Sequence, residues 1–181
     1  MDFQQSKTYQ NIQSAYHLEL AASSIYSIYA DRATDDNLIE ITNTYITISR
    51  NEKEHARIFL KRLNNGTVPP TAQNLNDSSK LELNAANLYR DYAKTAREEG
   101  FSDLAALFNG IANIELNHNL RFEALYENLT RNELLCKPES TLWICMQCGN
   151  ILSGTCAPAI CPVCGFPQGY YRVFNPSELQ P

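Results

Sequence analysis

Apolar side chains recur at three- and four-residue steps through most of the first 130 positions, the spacing of helix faces rather than strands. From about Ser6 to Ala33, Ile12, Ala15, Ala22, Tyr26 and Ala30 share one face, with Glu19 among them. A Thr34-Asp35-Asp36-Asn37 cluster ends this segment. The second runs from about Asn37 to Leu63 on Ile41, Tyr45, Ile48, Glu52, His55 and Phe59, and stops at Asn65-Gly66. After a proline-bearing connection expected over Thr67 to Asp77, a third helix covers about Ser78 to Glu99. The fourth covers about Ser102 to Thr130, with Leu104, Phe108, Ile111, Glu115, His118, Phe122 and Leu125 on one face. Four helices of this length predict an all-α four-helix bundle over residues 1–134.

The pattern is also duplicated. A shift of 63 residues carries Glu19 onto Glu82, Tyr26 onto Tyr89, Ala30 onto Ala93, Glu52 onto Glu115 and His55 onto His118. Ile41, Tyr45, Ile48 and Phe59 land on Leu104, Phe108, Ile111 and Phe122 under the same shift. Two copies of one helix hairpin imply a pseudo-twofold axis, so that each inward-facing residue has a counterpart across the core.

The shared faces carry four carboxylates, Glu19, Glu52, Glu82 and Glu115, at positions otherwise apolar or small. Burying a single unpaired carboxylate costs several kcal/mol, and four together repel one another, so a positive charge is required between them. Glu52 with His55, and Glu115 with His118, stand at i and i+3 on one helix face. One Glu from each of two helices plus a Glu-x-x-His from each of the others is the ligand set of di-iron and di-manganese bundles. Carboxylate and imidazole donors suit Fe(II) or Mn(II). Glu54 and Lys53 lie off the stripe and read as surface charge, as does His17. Tyr26 and Tyr89 can hydrogen-bond ligand carboxylates or simply pack in the core.

Composition changes near Leu135, where Pro, Gly and Cys replace the helical pattern, placing a linker over 135–142 and a small β-rich domain over 143–181. All six cysteines follow position 135. Cys145-x-x-Cys148 and Cys161-x-x-Cys164 are two knuckles separated by twelve residues, each followed by a glycine that frees backbone N–H groups to point at sulfur. Two such pairs close a tetrahedral four-thiolate site, and in a segment this short the metal contributes to folding. Residue chemistry alone leaves zinc the commoner occupant and iron open. Cys136 and Cys156 fall outside the pairs and are expected as unpaired, reduced thiols.

A net charge of −5 offers no basic field for phosphates, which argues against nucleic-acid binding. No stretch has the length and apolarity of a membrane helix, and the opening MDFQQSKTYQ lacks the apolar core of a signal peptide. A cytoplasmic location is expected.

With these residues in place, the chain resembles the rubrerythrin family over nearly its whole length. The resemblance rests on Glu19, the Asn51-Glu52-Lys53-Glu54-His55-Ala56 run, Ala96-Arg97-Glu98-Glu99-Gly100-Phe101, Glu115 with His118, and the tail from Trp143 to Pro167. It implies a ferritin-like non-haem di-iron bundle followed by a rubredoxin-like Fe(Cys)4 domain, which moves the tail site from zinc toward iron. It also implies reduction of hydrogen peroxide to water in oxidative-stress defence, electrons relayed from an electron-donor protein or NAD(P)H-dependent flavoenzyme, and a head-to-tail homodimer. Glu52 and Glu115 then read as bridging ligands, Glu19 and Glu82 as terminal ones, and His55 and His118 as nitrogen ligands. One departure stands out. The family's third helix usually offers a second glutamate three residues after the first, and Ala85 occupies that place here. That loss favours one alternative, a ferroxidase or oxygen-reducing oxidase; a second, separate alternative is a non-enzymatic iron-binding redox sensor whose bundle holds one metal or none.

Overall fold

A computed structural model describes residues 2–179 of the chain. Four helices, α1 (Lys7–Asp35), α2 (Ile39–Leu63), α3 (Thr71–Glu98) and α4 (Ser102–Thr130), precede a three-stranded antiparallel sheet. The strands are β1 (Cys136–Cys145), β2 (Ile151–Cys156) and β3 (Tyr171–Val173), in the order β2-β1-β3. The chain divides into two compact units, residues 1–69 and 70–181. The first is the α1–α2 hairpin, and the second holds the α3–α4 hairpin and the sheet. Among the described residues no helix is long and apolar enough to cross a membrane.

The helix starts and stops follow local chemistry. Ser6 caps α1 by accepting a hydrogen bond from the Tyr9 N–H at 3.1 Å. After α1, Asn37 adopts φ 59° and the Leu38 N–H reaches back to the Ala33 carbonyl at 2.9 Å. The second hairpin repeats the device one shift later: Gly100 has φ 90° and the Phe101 N–H donates to the Ala96 carbonyl at 2.8 Å. Both left-handed positions are filled by residue types that tolerate that conformation.

Each hairpin closes on small residues. Ala30, Ala33, Thr42 and Ala56 are buried in the first, and Ala86, Ala93, Ala96, Ala105 and Ala112 in the second. Small side chains let two antiparallel helix backbones approach, and larger apolar groups flank the seam. In the first hairpin two serines clasp across it: Ser23 Oγ donates to the Ser49 carbonyl at 2.9 Å, and Ser49 Oγ to the Ser23 carbonyl at 2.7 Å.

Helix α3 begins at Thr71, seven residues before the expected Ser78, so most of the expected connection is helical. Its polar run, Asn74 to Ser79, has weak intrinsic helix preference, but packing against α4 overrides that. Asn119 of α4 is buried and donates to both the carbonyl and the hydroxyl of Ser79 at 2.9 Å. The segment expected as a linker over 135–142 is also ordered, since β1 starts at Cys136.

The sheet module has its own core, built from Trp143, Cys145, Ala157, Cys161 and Tyr171. Trp143 is fully buried and its indole N–H donates to the Gly154 carbonyl at 3.0 Å. Cys136 and Cys156, expected as free thiols, are disulfide-bonded. They are partners in the β1–β2 register, which sets their side chains side by side, and a 20-residue sequence separation hides that proximity.

Candidate metal centres

The helical donors fall into two triads, one in each hairpin. Glu19 on α1 meets Glu52 and His55 on α2, and Glu82 on α3 meets Glu115 and His118 on α4, with the donor atoms of each triad within 4.8 Å of one another. His55 Nδ1 lies 2.8 Å from a Glu52 oxygen and 3.7 Å from a Glu19 oxygen. His118 Nδ1 lies 3.1 Å from Glu115 and 3.5 Å from Glu82. Cis ligands around an ion with bonds of ~2.1 Å sit about 3 Å apart, so each triad fits a divalent cation closely. The carboxylates are largely covered, near 20% exposed, whereas the imidazoles keep about half their surface open.

The second triad holds an electrostatic conflict. Contact with Glu115, reinforced by burial, raises the Glu82 carboxyl above its ordinary value. Glu115 is lowered by accepting from Glu82 and then from His118. Two apposed carboxyls resist ionising together, and a cation between them relieves that repulsion. Beside this triad lies a pocket of about 390 Å³ lined by Glu82, His118, Arg121, Phe122 and Leu125. Arg121 was not singled out from the sequence. Its signal was its place three residues after His118, on the same helix face; the repeat offers Ile58 at the matching position.

Tyr26 and Tyr89 sit in aromatic clusters, Tyr26 against Tyr45 at 6.0 Å between ring centroids and Tyr89 stacked on Phe108 at 6.1 Å. Ring packing is the contact the structure records for both. His17 is exposed, as expected, and so are Lys53 and Glu54, the latter paired with Arg57 at 3.3 Å.

The four knuckle cysteines converge. Cys145 and Cys164 sulfurs are 3.7 Å apart, and so are those of Cys148 and Cys161. A tetrahedron with bonds of ~2.3 Å has S···S edges of about 3.8 Å, so these thiols match the coordination shell of a tetrahedral metal. Gly149 and Gly165 take φ 76° and 74°, and their N–H groups close each knuckle onto the carbonyls of Cys145 and Cys161 at 2.8 and 3.0 Å. A side chain at either glycine meets the left-handed penalty.

Charge on the sulfurs is divided by their surroundings. The Tyr171 hydroxyl is sealed from water, finds no partner at full hydrogen-bond geometry and faces the Cys161 sulfur. That hydroxyl, with the N–H groups of Cys164 and Val163, favours the Cys161 thiolate and lowers it to about 6 despite burial. Burial, then Cys161, pushes Tyr171 up to about 12. At Cys164 the Phe166 N–H favours the thiolate, but burial and the sulfurs of Cys148, Cys161 and Cys145 outweigh it and push the thiol up to about 12. Cys148 is raised too, its Asn150 N–H outweighed by burial and the neighbouring sulfurs. Four crowded thiols cannot all ionise unaided, and a bound cation resolves this.

Comparison with known proteins bears on both sites. The family model Rubrerythrin matches residues 10–70 and 73–143, and the model Rubrerythrin, rubredoxin-like domain matches residues 143–172. Rubrerythrin-1 of Clostridium acetobutylicum is 34% identical over 94% of this chain and 95% of its own length. The rubrerythrin of Nitratidesulfovibrio vulgaris is 29% identical over the same shares. A solved structure of nigerythrin in a mixed-valence state covers 93% of this chain and 87% of its own, at 21% identity and a TM-score of 0.34. The chain therefore carries the donor sets of a di-iron carboxylate site and of a four-cysteine rubredoxin-type site, and it belongs to the rubrerythrin family of oxidoreductases, with a ferritin-like four-helix part followed by a rubredoxin-like domain.

Proposed function

We propose that this chain is a non-haem di-iron peroxidase that reduces hydrogen peroxide to water, fed with electrons through its four-cysteine iron site. The observation that carries the reading is the pair of Glu-Glu-His triads in one chain with a tetrahedral thiol cluster. Glu19, Glu52 and His55 would hold one iron, and Glu82, Glu115 and His118 the other. Bound there, the ferrous pair supplies the two electrons that cleavage of an O–O bond requires. The half-open imidazole edges leave room for a small substrate, and Arg121 adds a positive charge to the pocket beside Glu82 and His118. Cys145, Cys148, Cys161 and Cys164 hold a single iron, with the N–H groups of Asn150 and Phe166 and the Tyr171 hydroxyl tuning the sulfur charge.

The domain division proposed is 1–134 for the di-iron part and 143–181 for the rubredoxin-like part, supported by the handover of the two family matches at residue 143. An electron-donor protein or NAD(P)H-dependent flavoenzyme reduces the tail, in the cytoplasm. A head-to-tail homodimer brings one copy's tail to another copy's di-iron site; helices of 25 to 29 residues, roughly 40 Å long, support it by making transfer along a single chain slow.

Ala85 favours a second reading. Without the additional carboxylate, the site approaches a plain six-ligand centre, and oxygen or ferrous iron becomes a rival substrate. The test is anaerobic reduction followed by one equivalent of peroxide or of O2, with metal analysis and visible spectra. Faster reoxidation by peroxide is expected, faster reoxidation by O2 replaces the peroxidase with an oxidase, and a colourless zinc-loaded tail removes the relay.

A further inference from the structure

The two cysteines outside the metal cluster form a site of their own. Cys136 opens β1 and Cys156 closes β2, and their disulfide is the last cross-strand link before the chain runs back into α4. Cys136 pairs with Cys156 and Thr141 with Gly154, so Lys137, Pro138, Glu139 and Ser140 bulge out opposite Thr155 alone. The cystine thus closes a bulge at the joint between α4 and the sheet. The same joint is held by the Ala157 N–H on the Leu135 carbonyl at 2.9 Å and by Lys137 Nζ on Asn128 Oδ1 of α4 at 2.6 Å.

We infer that Cys136 and Cys156 are a reversible dithiol–disulfide couple, a redox-modification site that peroxide closes and a dithiol reductant opens. Three observations set it apart from a structural cross-link. Cys156 is exposed and Cys136 half-buried, so oxidant and reductant both have access. The module's buried cluster of Trp143, Cys145, Ala157, Cys161 and Tyr171 includes neither cysteine, so the bond lies outside the packed core. The remaining four cysteines converge as the metal-donor cluster, Cys148 among them exposed, so this pair is the one set of cysteines not committed to metal binding.

The chemistry balances with peroxide as the named oxidant. The exposed Cys156 thiolate attacks one peroxide oxygen; an S–O bond forms, the O–O bond breaks, and hydroxide leaves to become water on taking the thiol proton. Cys136 then attacks the Cys156 sulfur; the S–S bond forms and the S–O bond breaks, and a second water departs. Two thiols and one peroxide give one disulfide and two waters. In the reverse direction a dithiol attacks the exposed Cys156 sulfur, Cys136 leaves as thiolate, and the second thiol of the reductant resolves the mixed disulfide.

The test uses full-length protein with its tail iron ferric at the start, reduced at this pair by a dithiol and then given one equivalent of peroxide. Differential alkylation read by mass spectrometry is expected to show Cys136 and Cys156 protected together, reversal by dithiothreitol without denaturant, and an unchanged four-cysteine visible spectrum. In Cys136→Ser, a 1,3-dione reagent is expected to trap a sulfenic acid at Cys156. Thiols that stay free after peroxide overturn the inference, as does a disulfide that the native protein does not yield to dithiothreitol, or loss of the visible spectrum in step with oxidation. The readout is the state of sulfur. Repeating it on Glu115→Ala, which lacks a di-iron ligand, separates this site from the proposed peroxidase.

Discussion

The α1–α2 and α3–α4 hairpins are two copies of one plan, matched in metal donors, buried seam alanines and turn, and they differ in how the seam is clasped and in what flanks the donors. Both keep two glutamates and a histidine within 4.8 Å, and both bury alanines at matching places, Ala30 with Ala93 and Ala33 with Ala96. The polar clasp has moved. Ser23 and Ser49 bond across the first seam, whereas their counterparts Ala86 and Ala112 are simply buried. The second hairpin is clasped instead by Asn119 on Ser79, where the first has a buried Ala56. Close helix approach constrains side-chain size and the cation constrains donor type, while one interhelical hydrogen bond serves as well as another. The second triad also has Arg121 beside it and a carboxyl pair shifted in opposite directions, Glu82 up and Glu115 down.

Removing donors tests the equivalence most severely. Glu52→Ala and Glu115→Ala are each expected to lower iron bound in the helical part from about two to about one per chain, because a triad stripped of one of its two carboxylates loses half of its negative charge and one of three donors. Metal analysis reads this directly, and unchanged stoichiometry in either variant removes that residue from the ligand set.

Acid titration separates the two triads more finely. Contact with Glu115 and burial raise the Glu82 carboxyl, so protons compete with a divalent ion there more strongly than at an ordinary carboxylate. As pH drops through the raised Glu82 range, proton competition at that carboxyl therefore weakens affinity at the α3–α4 triad, by up to about tenfold per pH unit. Titration with Mn(II) at stepwise lower pH is expected to empty this triad first, and simultaneous loss from both contradicts the asymmetry.

The clasps give the smallest effects. Asn119→Ala leaves a buried hole and removes both bonds to Ser79, for a loss of about 1–3 kcal/mol. Ser23→Ala removes a half-buried hydroxyl and is expected to cost about 1 kcal/mol. Urea unfolding of the two variants checks the order.

Much of this was legible before any coordinates. The period of the apolar positions marked four helices, and the shift of 63 residues singled out six donors whose only shared property was a place on an apolar face. The true start of α3 was legible too: the same shift carries Ser6-Lys7-Thr8 onto Pro69-Pro70-Thr71, where the helix begins. Its Asn- and Ser-rich opening concealed that, since local propensity favours a loop.

Residue types and their periodicity determined the helices, the donors and the four-thiol knuckles, because each is a local pattern in which the chemistry and its spacing lie within a few turns of chain. Tertiary structure decided the rest. Nothing local joins Cys136 to Cys156, which meet only across the bulged β1–β2 register, or puts Tyr171 of β3 against Cys161 of the second knuckle. The opposite shifts of Glu82 and Glu115 likewise arise only because α3 and α4 bring two carboxyls together that are far apart along the chain.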